Sequence, residues 1–197
     1  MIGYGLSLPL VPFFLQELLD LKDITTTQLS IHVGAVTAIF AFMQMIFAPL
    51  WGRLSDKTGR RKFILLFGLS GYTLSLLLAG FSDNIIMLYG ARMLNGVFSA
   101  AVLPIASAYI VDVCPSEFRA RGLAWHGTSV GLGVVSGPAV ASLVSELVNN
   151  HPIHLSFIDY NAFSAPFIMA SVLSGFSVIL AGVFLKESYP GESKKSL

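Results

Sequence analysis

The chain has 197 residues, 54% of them hydrophobic and 12% charged, with a net charge of +1 and a single cysteine, Cys114. An ordinary soluble domain is about 25% charged, and the mean hydropathy of +0.74 here comes from long apolar runs set between short charged clusters. That excludes a disordered chain, a basic nucleic-acid-binding surface and a disulfide-stapled secreted module, and leaves a polytopic membrane protein.

A helix that crosses a hydrocarbon core about 30 Å thick needs about 20 apolar residues. Six runs meet that need, at residues 1–19, 30–51, 63–81, 85–111, 122–147 and 162–185. They are continuous rather than alternating, so the expected fold is an all-α bundle and not a β-barrel. Residues 1–188 form that bundle, and residues 189–197 read as the polar start of a cytoplasmic linker. The first run begins without a polar lead, as though the chain enters part-way through its first helix. No basic stretch precedes it and no small-residue cleavage site follows, unlike a signal peptide.

In the second run, Gln44 stands inside the apolar stretch Phe40–Phe47, where contact with lipid would leave its amide unsatisfied. The connector that follows, Gly52-Arg53-Leu54-Ser55-Asp56-Lys57-Thr58-Gly59-Arg60-Arg61-Lys62, is short and highly charged. Gly52 lets the backbone bend or approach a neighbour, and Gly59 offers a left-handed turn. Asp56 is the lone acid among five bases, suited to cap a helix N-terminus or to pair with Arg60. A basic anchor alone would explain the bases but not the acid and two glycines.

The fourth run holds Arg92 and Asn95, three apart and so on one side of a helix. With a helix start near Ile85, Arg92 lies roughly 10 Å in, at 1.5 Å per residue. It either snorkels to the interface or faces the bundle interior, because arginine at a helix centre is expensive. Asp112, Glu117, Arg119 and Arg121 make a second charged turn. The fifth run carries Gly127, Gly131, Gly133 and Gly137, two small-xxx-small spacings that give a flat packing face, and Pro138 adds a kink.

Basic residues set orientation. Arg53, Lys57, Arg60, Arg61, Lys62, Arg119, Arg121, Lys186, Lys194 and Lys195 all fall on one side, against Lys22 on the other, with Arg92 inside a run. Both termini are therefore expected in the cytoplasm, of a plasma (inner) membrane. His32 and His126 sit near span ends, and His151, His154 and Asp159 share the last outer connector without metal-ligand spacing. With no Walker A sequence, dinucleotide fingerprint or nucleophile beside a base, neither a cofactor nor an enzymatic activity is expected.

The charged connector resembles the loop signature of the major facilitator superfamily, G-x-x-x-D-x-x-G-R-[RK], matched by Gly52, Asp56, Gly59, Arg60 and Arg61. Leu88-Tyr89-Gly90-Ala91-Arg92-Met93-Leu94-Asn95-Gly96 is similar to the family's fourth-helix motif, marked by Arg92 and Gly96. Gly133-Val134-Val135-Ser136-Gly137-Pro138 is similar to its antiporter motif. Gly5, Pro9 and Pro12 match the end of the first-helix motif, and Glu187-Ser188 after the last span is typical. The pattern is most similar to drug:proton antiporters of the tetracycline-efflux type. It departs from them where Ala141 and Ser142 replace the glycine pair expected after Gly137-Pro138, and the first-helix acid of that type would precede Met1.

The resemblance implies two inverted three-helix repeats forming half of a twelve-helix transporter, whose partners are the lipid bilayer, a small-molecule substrate, protons and a C-terminal six-helix half. It implies that Asp56, Arg60 and Asp112 cluster to hold one conformational state closed. Gln44, Arg92, Asn95 and His126 are the polar residues expected to face a central cavity, unless Gln44 and Asn95 merely bond a neighbouring helix; the resemblance favours the cavity and implies that Arg92 tunes a carboxylate supplied by a preceding segment or by the other half. The glycine face of span five would seal the outer end against leak. The alternatives are transport of a sugar, metabolite or organic ion and, should the chain end at Leu197, a non-transporting six-helix module.

Overall fold

The computed structural model describes residues 5, 11–16, 18, 25–150, 154–155, 158–159 and 164–188. The helical residues 11–16 belong to α1, most of whose expected span lies outside the described residues, as do Pro9, His151 and the expected linker 189–197. Then follow α2 (Thr26–Thr58), α3 (Arg61–Gly80), α4 (Ile85–Val113), a 3-10 turn at Ser116–Phe118, α5 (Arg119–Asn150) and α6 (Ala165–Phe184). The five long helices are each long and apolar enough to cross a membrane. Two-residue strands at His154–Leu155 and Ile158–Asp159 pair antiparallel in the connector before α6.

Local chemistry explains the helix ends. Thr25 caps α2 in a reciprocal box with Gln28, and the Asn84 side chain accepts the Met87 N–H at 2.8 Å to start α4, each satisfying donors that a first turn leaves orphaned. α2 stops at Gly59, which takes the left-handed conformation at φ 66°. The charged segment is thus not an extended turn: α2 continues seven residues past its apolar run, through Gly52 and Asp56 to Thr58. Charge ends a run of hydropathy, but helix formation asks only for tolerable propensity and a terminator.

α2 packs on α4, and α3 packs on both α4 and α6, whereas α2 and α3 touch little despite being sequence neighbours. The main core joins Val11, Phe14 and Leu15 of α1 to Val36, Leu76, Leu88 and Phe167. Small residues set the crossings. A Cβ added to Gly96 of α4 would lie 2.6 Å from the Phe40 carbonyl oxygen and 2.7 Å from Met43 Cβ of α2. One added to Gly71 of α3 would lie 2.2 Å from the Phe98 ring of α4. Outward faces are strongly apolar, with Ile86, Val135 and Phe184 each more than three-quarters exposed, as a bilayer solvent requires.

Candidate functional site

One end of the bundle gathers the charged connectors. Arg61, the first residue of α3, donates from Nη1 to Asp56 Oδ1 at 2.9 Å and from Nε to Asp112 Oδ2. Its Nη1 also lies 3.4 Å from Ser55 Oγ. The expected pairing through Arg60 is corrected: Arg60 is exposed, with no ion pair among the described residues. Arg60 is the non-helical residue just before α3, whereas Arg61 opens the helix with its side chain on Asp112 at the end of α4. Asp56 caps no helix N-terminus among the described residues either. It sits in the last turn of α2, the unfavourable end of the helix dipole for an acid, and Arg61 offsets that. The Asp56 side chain is 69% exposed and that of Asp112 only 25%, so the Asp112 arm is the less solvent-screened of the two.

The segment after α6 closes the same end. The Lys62 backbone N–H donates to Glu187 Oε1 at 3.0 Å, Lys62 Nζ donates to the Gly182 carbonyl at 2.8 Å, and Tyr109 OH donates to the Lys186 carbonyl at 2.8 Å. Five chain segments meet here, although Lys62 and Tyr109 carried no signal in the sequence beyond charge and hydropathy.

Deeper in the bundle, α4 turns Leu88, Ala91, Arg92, Asn95, Gly96 and Ala100 inward, a three-and-four spacing along one face. Arg92 is 6% exposed, so it does not snorkel. Its guanidinium lies 5.2 Å over the Phe167 ring of α6, while Nε and Nη2 are buried without a hydrogen-bond partner among the described residues. A cavity of about 200 Å³ opens beyond this layer, lined by Gln44, Leu69, Tyr72, Ser99, Val102 and residues of α5 including Val134. Gln44 Nε2 donates to Ser99 Oγ at 3.1 Å. Of the four residues expected at a cavity, Gln44 alone lines this one; Arg92 and Asn95 are buried outside its lining and His126 is half-buried on α5. Ser99, seven residues after Arg92 on the same face, was findable from the spacing, whereas Phe167 was not.

The glycines of the two small-xxx-small spacings on α5 divide. Gly133 and Gly137 are buried, while Gly127 and Gly131 are exposed with open space where a side chain would stand. Gly5 comes against α5 at Gly133 and Val134: a Cβ on Gly5 would lie 2.5 Å from the Val134 carbonyl oxygen and 3.0 Å from that of Gly133. Pro138 has no N–H to give that carbonyl, four residues earlier. The proline therefore leaves an acceptor open, and Gly5 approaches it closely.

The sequence profile of the Major Facilitator Superfamily matches residues 1–197, the whole chain. The chain belongs to the major facilitator superfamily. It is 36% identical over 155 residues to the class B tetracycline resistance protein of Escherichia coli, covering 79% of this chain and 37% of that protein. To the class H tetracycline resistance protein of Pasteurella multocida it is 35% identical over 192 residues, covering 98% and 43%. The chain thus spans about two-fifths of the length of these curated relatives. Among solved structures, the superfamily's proton:xylose symporter XylE bound to 6-bromo-6-deoxy-D-glucose superposes with a TM-score of 0.69 at 13% identity, covering 95% of this chain and 42% of that one. That likeness is one of fold; membership of the superfamily, together with the membrane-length helices, makes this an integral membrane protein.

Proposed function

We propose that this chain is the N-terminal half of a secondary transporter that exports a drug-like organic molecule in exchange for protons, working by alternating access with a second six-helix half. The charged end of the bundle faces the cytoplasm, as do both termini, since basic residues favour that side. The Arg61–Asp56–Asp112 cluster holds one state closed there, and passage to the other state breaks it.

The observation that carries the reading is Arg92. A guanidinium buried inside an apolar core is costly unless it has work to do. Here it stabilises the ionised form of a carboxylate elsewhere in the transporter, so that proton uptake and release there are tied to the conformational state. Gln44, Tyr72 and Ser99 supply polar groups to a cavity otherwise lined by leucine and valine, a composition that suits a small organic ligand.

The similarity to tetracycline resistance proteins makes tetracycline the first probe. In everted vesicles carrying the full-length protein, an imposed proton gradient should drive tetracycline accumulation. Arg92→Ala should abolish it while expression and membrane insertion persist. Gradient-driven uptake unchanged in that variant would refute the coupling role.

A further inference from the structure

We infer that Phe167 is a positioning residue for Arg92, a face that holds the guanidinium without consuming its hydrogen-bond donors. The inference rests on the transport reading above and adds to it how the arginine is kept available.

A buried arginine ordinarily spends its five donors on neighbours. Here Nε and Nη2 lack partners among the described residues, and those two nitrogens form one edge of the guanidinium, the fork that meets a carboxylate with two parallel hydrogen bonds. The Phe167 ring lies beneath the group, 5.2 Å from centroid to guanidinium carbon. Attraction between a cation and an aromatic face strengthens as water is removed, and the ring is 1% exposed. A face engages the flat side of the group and leaves its edges open, which no hydrogen-bonding residue in that place would do.

The ring is itself fixed from three directions. Phe14 of α1 packs against it at 5.6 Å between centroids, tilted by 51°. Gly80 at the end of α3 admits α6 so closely that a Cβ there would come within 3.3 Å of Phe167 Cβ and 2.8 Å of Ile168 Cγ1. The Phe167 N–H donates to the Ser164 carbonyl at 3.0 Å in the first turn of α6. The arginine on α4 is thereby indexed to α1, α3 and α6, and loss of the ring should release it to seek other partners.

The test is a graded series at position 167 in the full-length protein: phenylalanine, mono-, di- and trifluorophenylalanine, which drain the ring's negative face at nearly constant shape, and Phe167→Leu and Phe167→Tyr. Two transport readouts use radiolabelled tetracycline: proton-gradient-driven uptake, and tetracycline counterflow with no gradient. Gradient-driven uptake should fall stepwise with fluorination, to a loss of about tenfold in Phe167→Leu, as expected for one desolvated cation–aromatic contact. Counterflow should stay within twofold, and Phe167→Tyr should retain most coupled uptake. A flat fluorination series, or equal loss in both readouts, would overturn the positioning role in favour of simple packing. In nanodiscs, the 15N-labelled Arg92 guanidinium protons should move downfield when the ring current is lost in Phe167→Leu, and an unmoved resonance overturns the stacking itself. Absence of gradient-driven uptake in the unsubstituted protein refutes the transport reading instead, and the Arg92 resonance then decides the stacking alone.

Discussion

Replacing Gly96 by alanine adds one methyl group where two helix backbones cross. The new Cβ would stand 2.6 Å from the Phe40 carbonyl oxygen and 2.7 Å from Met43 Cβ, against an ordinary contact that begins at 3.4 Å. The obstacle is backbone, so no rotamer change relieves it, and α2 and α4 have to part by about 0.8 Å. Overpacking of this kind costs about 1–3 kcal/mol. For a chain of this size that corresponds to a melting temperature lowered by about 2–4 °C per kcal/mol. Gly90 on the same helix is the internal control, because a side chain there meets nothing within 4 Å, and alanine should gain about 1 kcal/mol of helix propensity. Size-exclusion detection of a fluorescent fusion after heating in detergent reads both variants side by side. Equal melting temperatures for Gly96→Ala and Gly90→Ala would show that the α2–α4 crossing is not close-packed at Gly96.

Two further outcomes are expected. Arg61→Ala should weaken coupled transport at least tenfold in vesicles, whereas Arg60→Ala should leave it within about twofold, since only the first removes a partner from a part-buried acid; the reverse ranking would restore Arg60 as the bridging residue. Single cysteines at Lys57 and Asp83 in an otherwise cysteine-free protein should react with an impermeant maleimide in sealed cells only at position 83, and labelling at 57 would invert the orientation.

The helices themselves were legible because hydropathy and length are properties of the chain alone. Runs read at 63–81, 85–111 and 162–185 became Arg61–Gly80, Ile85–Val113 and Ala165–Phe184. What depends on facing was not legible. Arg60 and Arg61 are indistinguishable in a composition argument, and their places just before and at the start of α3 separate them. Gly127/Gly131 and Gly133/Gly137 share one spacing, yet the first pair is exposed and the second buried. Arg92 was visible as an anomaly in an apolar run, while its partner Phe167 was one phenylalanine among fifteen.

The continuation of α2 beyond its apolar run gives the molecule a lever. A helix of 33 residues is about 50 Å long, well over the roughly 30 Å of hydrocarbon it must cross. It approaches α4 closely at Phe40 and Met43, opposite Gly96, and that crossing would serve as a fulcrum. Asp56 rides about 20 Å further along the arm, at 1.5 Å per residue. Rocking α2 by about 10° around the fulcrum would carry that carboxylate about 4 Å, enough to break its 2.9 Å contact with Arg61 while barely disturbing the packing at the pivot. The longer the arm, the smaller the rotation that would part the ion pair, and Asp56 lies near the end of α2.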